Sequence, residues 1–76
     1  MKELVEVLAK ALVDNPGEVS VTEREDGSWI TLELRVAESD MGKVIGKHGK
    51  MAKALRDVVS ACSSKYENRY VLEIVD

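Results

Sequence analysis

The stretch Gly42-Lys43-Val44-Ile45-Gly46-Lys47-His48-Gly49-Lys50-Met51-Ala52-Lys53 holds the residues best suited to chemistry in this 76-residue chain. Gly46 and Gly49 bracket two polar residues, and without side chains at those positions an anion can approach the main chain. A helix that starts there offers unpaired N–H groups and the positive end of its dipole, so a phosphate can rest on it and accept backbone hydrogen bonds. Lys47 adds a mobile cation. Lys43, Lys50 and Lys53 line the approach, and each phosphate neutralised adds affinity through counterion release. His48 is either a neutral polar contact that gains charge below about pH 6.5 or an exposed loop residue without a role.

Charge distribution supports an anionic ligand although the formal net charge is −3. The window from Met41 to Arg56 contains five cations and no carboxylate; the other six cations face all fourteen carboxylates and leave −8 outside it. A local basic site on an acidic body suits one anionic strand better than diffuse attraction to duplex DNA or a membrane surface. A solvated basic helix face would give the same local charge.

Other chemistries fail on residue type or spacing. A P-loop needs four residues between its glycines, whereas Gly42 and Gly46 have three, and His48 rather than Ser or Thr follows Lys47. The Gly-x-Gly-x-x-Gly dinucleotide pattern is absent, and the Gly42/Gly46 spacing of membrane helix pairs sits among charges. One His and one Cys cannot complete a zinc site, so no metal or other cofactor is expected. There is no nucleophile–base pair, and the chain does not read as an enzyme. Cys62 lies in an apolar helical pattern and reads as a small buried hydrophobe. A chain without disulfides, signal-type leader or apolar run of about 18 residues is expected in the cytoplasm, not in a membrane.

Several elements must position this stretch. Leu4, Leu8 and Leu12, broadened by Val5, Val7 and Ala11, predict a helix from Lys2 to about Asp14, ended by Asn15-Pro16-Gly17. Val19 and Val21 begin a strand, and Asp26-Gly27 predicts a tight hairpin. Ile30, Leu32, Leu34 and Val36 then face one way and Trp29, Thr31, Glu33 and Arg35 the other, as in a sheet with one wet face. Ser39 or Asp40 can cap a short helix with Met41, Val44 and Ile45 on its apolar face, ended by Gly46. A longer helix follows Gly49 to about Ser63, with Met51, Leu55, Val58, Val59 and Cys62 toward the core. After a polar connection from Ser64 to Asn68, Tyr70, Leu72 and Ile74 mark a last strand. The long crossover between the last two strands predicts that they run parallel. The expected fold is α+β in the order α-β-β-α-α-β, a three-stranded mixed sheet with three helices on one face, in one domain spanning 1–76.

A lone Gly-x-x-Gly between helices also serves purely structural ends. With apolar Val44-Ile45 before it, Lys47 and Lys50 in and after it, and strands flanking both helices, the run 44–50 resembles the signature loop of the KH domain family. The element order resembles that family's type II arrangement, and the likeness spans essentially the whole chain. It is most similar to the small stand-alone bacterial KH proteins of the KhpA (YlqC-like) group. The resemblance implies that Gly46, Lys47, His48 and Gly49 hold phosphates and sugars of about four nucleotides of single-stranded RNA. Val44 and Ile45 would form the groove floor, and Leu34 to Val36 the opposite wall, with Arg35 in reach of the strand. Lys43, Lys50 and Lys53 complete the nucleic-acid-binding set. The short hairpin at Asp26-Gly27 and the scarcity of aromatics imply weak binding with little sequence preference, as in an RNA chaperone or post-transcriptional regulator.

A second reading is a protein-interaction module. Ala52, Ala54 and Ala61 widen the apolar arc of the longer helix, either because alanine favours helix or because another subunit packs there. The resemblance implies self-pairing, or pairing with a larger KH protein of the Jag type.

Overall fold

The computed structural model describes residues 1–65 and 69–75, with the side chains of Lys47 and His48 outside the description; most of the expected Ser64–Asn68 connection therefore lies outside it. Helix α1 spans Lys2–Leu12, a single 3₁₀ turn Pro16–Glu18, strand β1 Ser20–Asp26, strand β2 Trp29–Arg35, helical run α2 Glu38–Ser63 and strand β3 Arg69–Val75. The sheet order is β1-β2-β3. β1 pairs antiparallel with β2 and β2 parallel with β3, as the short hairpin and the long crossover require.

The hairpin is as short as the sequence suggests but lies one residue further along the chain. Asp26 pairs with Trp29, so the two turn residues are Gly27 and Ser28. Gly27 takes a φ of +64°, which only glycine adopts without strain, and this fixes the register. In that register Val21 faces Leu34, and Leu72 faces Leu32 across the parallel pair. Ile30, Leu32 and Leu34 are buried with Leu72 beneath the helices, in one cluster that takes Val5 and Ala9 from α1 and Val44, Leu55 and Val59 from α2. All helices therefore share one face of the sheet. On the other face Trp29 is exposed with Arg69 over its ring at 5.5 Å, and Arg24 reaches both Glu33 (3.6 Å) and Glu73 (4.0 Å). Glu33 and Glu73 are direct neighbours in the parallel pair, so Arg24 offsets a like-charge contact.

Helix α1 is rotated from the expected setting. The leucine spacing points to Leu4, Leu8 and Leu12 as the core stripe. The buried residues are Val5, Ala9 and Val13 instead, with Leu8 half-buried and Leu4 and Leu12 partly exposed. Both stripes run at four-residue spacing, and helical period alone does not choose between them. Packing against strands of Val, Ile and Leu selects the smaller Val and Ala face, which lets the helix approach the sheet closely.

The two helices expected on either side of the glycines are the two arms of α2. Helical pattern runs through Gly46, and the interruption falls at Gly49, with φ +67°. That dihedral cannot continue a right-handed helix, so it separates the arm carrying Gly42–Gly46 from the arm carrying Met51–Cys62. In the second arm Ala52, Leu55 and Val59 are buried and Val58 and Cys62 half-buried, while Ala54 and Ala61 are exposed.

Candidate nucleic-acid interface

Neighbouring residues of the first arm have divided roles. Val44 is 1% exposed and anchors the arm in the core, whereas Ile45 is 54% exposed. Of the two residues expected in a groove floor, Ile45 is thus the apolar surface a base can meet, and Val44 supports it from below. Gly46 and Gly42 lie one turn apart on the same arm, and a Cβ built on either would find no atom within 4 Å. Bare backbone is therefore open to an approaching strand at both. Gly42 opens the chemical stretch in the sequence but is outside the expected binding set; its i, i+4 spacing puts it on the same side of the arm as Gly46.

The opposite wall also sorts by side. Leu34 is fully buried and cannot touch a ligand, Arg35 is exposed, and Val36 is half-buried. Only Val36 and Ala37 separate the end of β2 from the start of α2, so this wall and the first arm are adjacent by chain connection.

The basic window is less uniform in space than in sequence. Lys43 pairs with Asp14, contributed from beyond the end of α1, at 3.2 Å. Lys53 pairs with Asp57 at 3.8 Å, one turn along its own helix. Both pairs are largely exposed and hold their lysines weakly, so exchange toward a phosphate costs little. Lys50 is exposed just past Gly49, and no carboxylate is within ion-pair distance of it among the described residues. The side chains of Lys47 and His48 lie outside the described part; their backbone lies between Gly46 and Gly49.

Beneath this arm Asp40 is buried at 1% exposure. Its Oδ1 accepts the backbone N–H of Asp14 at 3.2 Å. Its Oδ2 accepts the backbone N–H of Asn15 at 3.0 Å and the Asn15 side-chain amide at 3.1 Å. Burial alone would raise the pKa of this carboxyl. The Asn15 side-chain bond, the two backbone bonds and the charge of Lys43 together outweigh that and hold it below the ordinary carboxylate range. The expected capping role falls away: the N-cap of α2 is Ala37, with no side-chain cap. Among the described residues no group of three or more His, Cys, Asp or Glu could hold a metal ion, and no helix is long and apolar enough to cross a membrane.

The sequence model of the KhpA/KhpB KH domain matches residues 2–74. This chain belongs to the KhpA/KhpB KH-domain family. The match takes in both arms of α2 and residues of all three strands. A protein of Halalkalibacterium halodurans named RNA-binding protein KhpA is 54% identical, with 100% of each chain covered. One of the same name from Treponema pallidum is 52% identical over 99% of this chain and 94% of its own. A third, from Clostridium acetobutylicum, is 53% identical over 99% of this chain and all of its own. No solved structure matches the chain.

Proposed function

We propose that this chain is an RNA-binding protein that clamps single-stranded RNA at the turn between the two arms of α2. The observation that carries the reading is the open backbone at Gly42 and Gly46, beside exposed Ile45 and ahead of the left-handed break at Gly49. Phosphates lie along Gly46–Gly49 with Lys47 and His48 as polar partners. Bases lie over Ile45 toward Val36 and Arg35. Lys43, Lys50 and Lys53 supply attraction along the strand. The names of the relatives, RNA-binding protein KhpA, support the choice of RNA.

The two-residue turn at Gly27–Ser28 leaves no long loop to frame the strand, which supports weak, sequence-tolerant binding. Such binding suits an RNA chaperone or post-transcriptional regulator acting in the cytoplasm, without an enzymatic step. Titrating the ¹⁵N-labelled protein with an eight-nucleotide mixed-sequence RNA tests the placement. Amides of residues 42–50 and 35–36 should shift, with those of Glu23 and Glu25 on the far strand unmoved. Shifts confined to the exposed sheet face around Trp29 and Val71 would overturn it.

A second reading rests on Ala54 and Ala61, exposed on the second arm beside half-buried Val58. This surface admits another helix, from a second copy or from a larger KH protein of the Jag type. Two linked weak RNA sites would gain affinity through effective concentration. Sedimentation of Ala61→Glu separates the readings: loss of dimer mass with retained binding per site supports pairing at this arm, and unchanged mass rejects it.

A further inference from the structure

The inner side of the first arm of α2 is held by two residues one turn apart, Asp40 and Val44, each 1% exposed. They hold it in different ways. Burial of Val44 in the core is favourable and non-directional, so it fixes the depth of the arm but lets it roll. The bonds to Asp40 are directional and reach residues 25 and 26 positions away, past the end of α1. Asn15 spans both sides of the contact, because its side-chain amide donates to Ser39 Oγ at 3.1 Å as well as to Asp40.

A carboxylate in the first turn of a helix ordinarily faces water or caps its own helix. A buried one is tolerated only when its oxygens are satisfied, and an apolar side chain of similar size would often serve stability as well. Here three N–H donors converge on the two oxygens, and no buried side-chain polar atom is left without a partner among the described residues. An arm fixed in depth by Val44 and in rotation by Asp40 turns Gly42, Ile45 and Gly46 away from the core. A roll of the arm would carry Ile45 and Gly46 off the strand's path together.

We propose that Asp40, clasped by Asn15 and the backbone of Asp14, is a positioning residue of the nucleic-acid site that sets the rotation of the glycine-bearing arm. The inference rests on the RNA-clamp reading for its effect on binding, but the clasp itself can be tested in the free protein. Asp40→Asn keeps the shape but turns an amide N–H₂ toward donors. Asn15→Ala removes one donor and leaves the two backbone bonds in place.

The measurements are amide chemical shifts of Gly42, Gly46 and Gly49 in the free protein, and affinity for the eight-nucleotide RNA at 10 °C, with far-UV circular dichroism to establish that each variant is folded. Both variants should displace the three glycine amides while leaving those of Leu32 and Leu72 in place. Affinity should fall roughly three- to tenfold, more for Asp40→Asn than for Asn15→Ala. A lowered melting temperature with unmoved glycine amides and wild-type affinity would make Asp40 a stability residue only and overturn the proposal. If Asp40→Asn does not fold, Asn15→Ala decides by the same two readouts. Failure of the wild-type protein to bind the RNA would sink the functional reading alone, since the glycine shifts still decide the clasp.

Discussion

Replacing the two turn glycines by alanine, one at a time, should have opposite effects on stability. Gly49 has a φ of +67°, and a Cβ there would meet nothing within 4 Å. The methyl therefore clashes with no neighbour, and the whole effect is the left-handed backbone, which costs an L-residue about 1–2 kcal/mol. Gly46 lies in the helical part of the first arm, has no positive φ, and also has 4 Å of clear space. Alanine there gains up to about 1 kcal/mol of helix propensity over glycine. The two variants should thus differ by about 2–3 kcal/mol. In a domain of this size each kcal/mol moves the melting temperature by about 4–8 °C, so the separation is on the order of 10–20 °C. Urea and thermal unfolding followed by circular dichroism measure it, and Gly49→Asn should recover part of the loss because Asn tolerates the left-handed region. Both alanine variants should bind RNA more weakly, since either methyl stands between backbone and phosphate. Gly46→Ala then separates binding from stability. Equal melting temperatures, or a less stable Gly46→Ala, would refute the assignment of the break to Gly49.

Leu32 is fully buried at the centre of the sheet, so Leu32→Ala should lose about 2–5 kcal/mol, a large share of the stability of a chain this short, as read by the urea midpoint. Arg24→Ala leaves Glu33 and Glu73 opposed without their shared cation; the loss should stay within about 1 kcal/mol and shrink on adding salt. Because the pKa of Asp40 is lowered on folding, its ionised form contributes stability above about pH 4 that is lost as pH falls through the folded value. The stability difference between wild type and Asp40→Asn should therefore be steady from pH 5 to 7 and narrow in an acid titration below pH 4.

The alternation of β2, the glycine in the hairpin and the length of the crossover each have one structural solution, and strand order and direction were legible from them. The setting of α1 was not. Its sequence carries two apolar stripes, and the choice between them depends on how closely the helix nears the sheet. The glycine turn was legible as an interruption of helical pattern, but not which glycine breaks the helix, because φ follows from packing on both sides. Charges in the site were legible only as a list. Lys43 has its partner Asp14 at a separation of 29 residues, and Asp40 finds its donors 25 and 26 residues back, so neither contact leaves a local pattern in the chain. A buried carboxylate between Ser39 and Met41 reads from sequence as an ordinary cap.

The central claim is that the backbone between Gly46 and Gly49 holds the phosphates of a single-stranded RNA. Filter binding of the eight-nucleotide RNA to wild type and to the double variant Lys47→Asp, His48→Asp, across a salt series, tests it most directly. Wild-type affinity should fall with salt at a slope of a few phosphates, and the double variant, folded by circular dichroism, should not bind. Wild-type affinity retained by the double variant, or binding indifferent to salt, would contradict that claim.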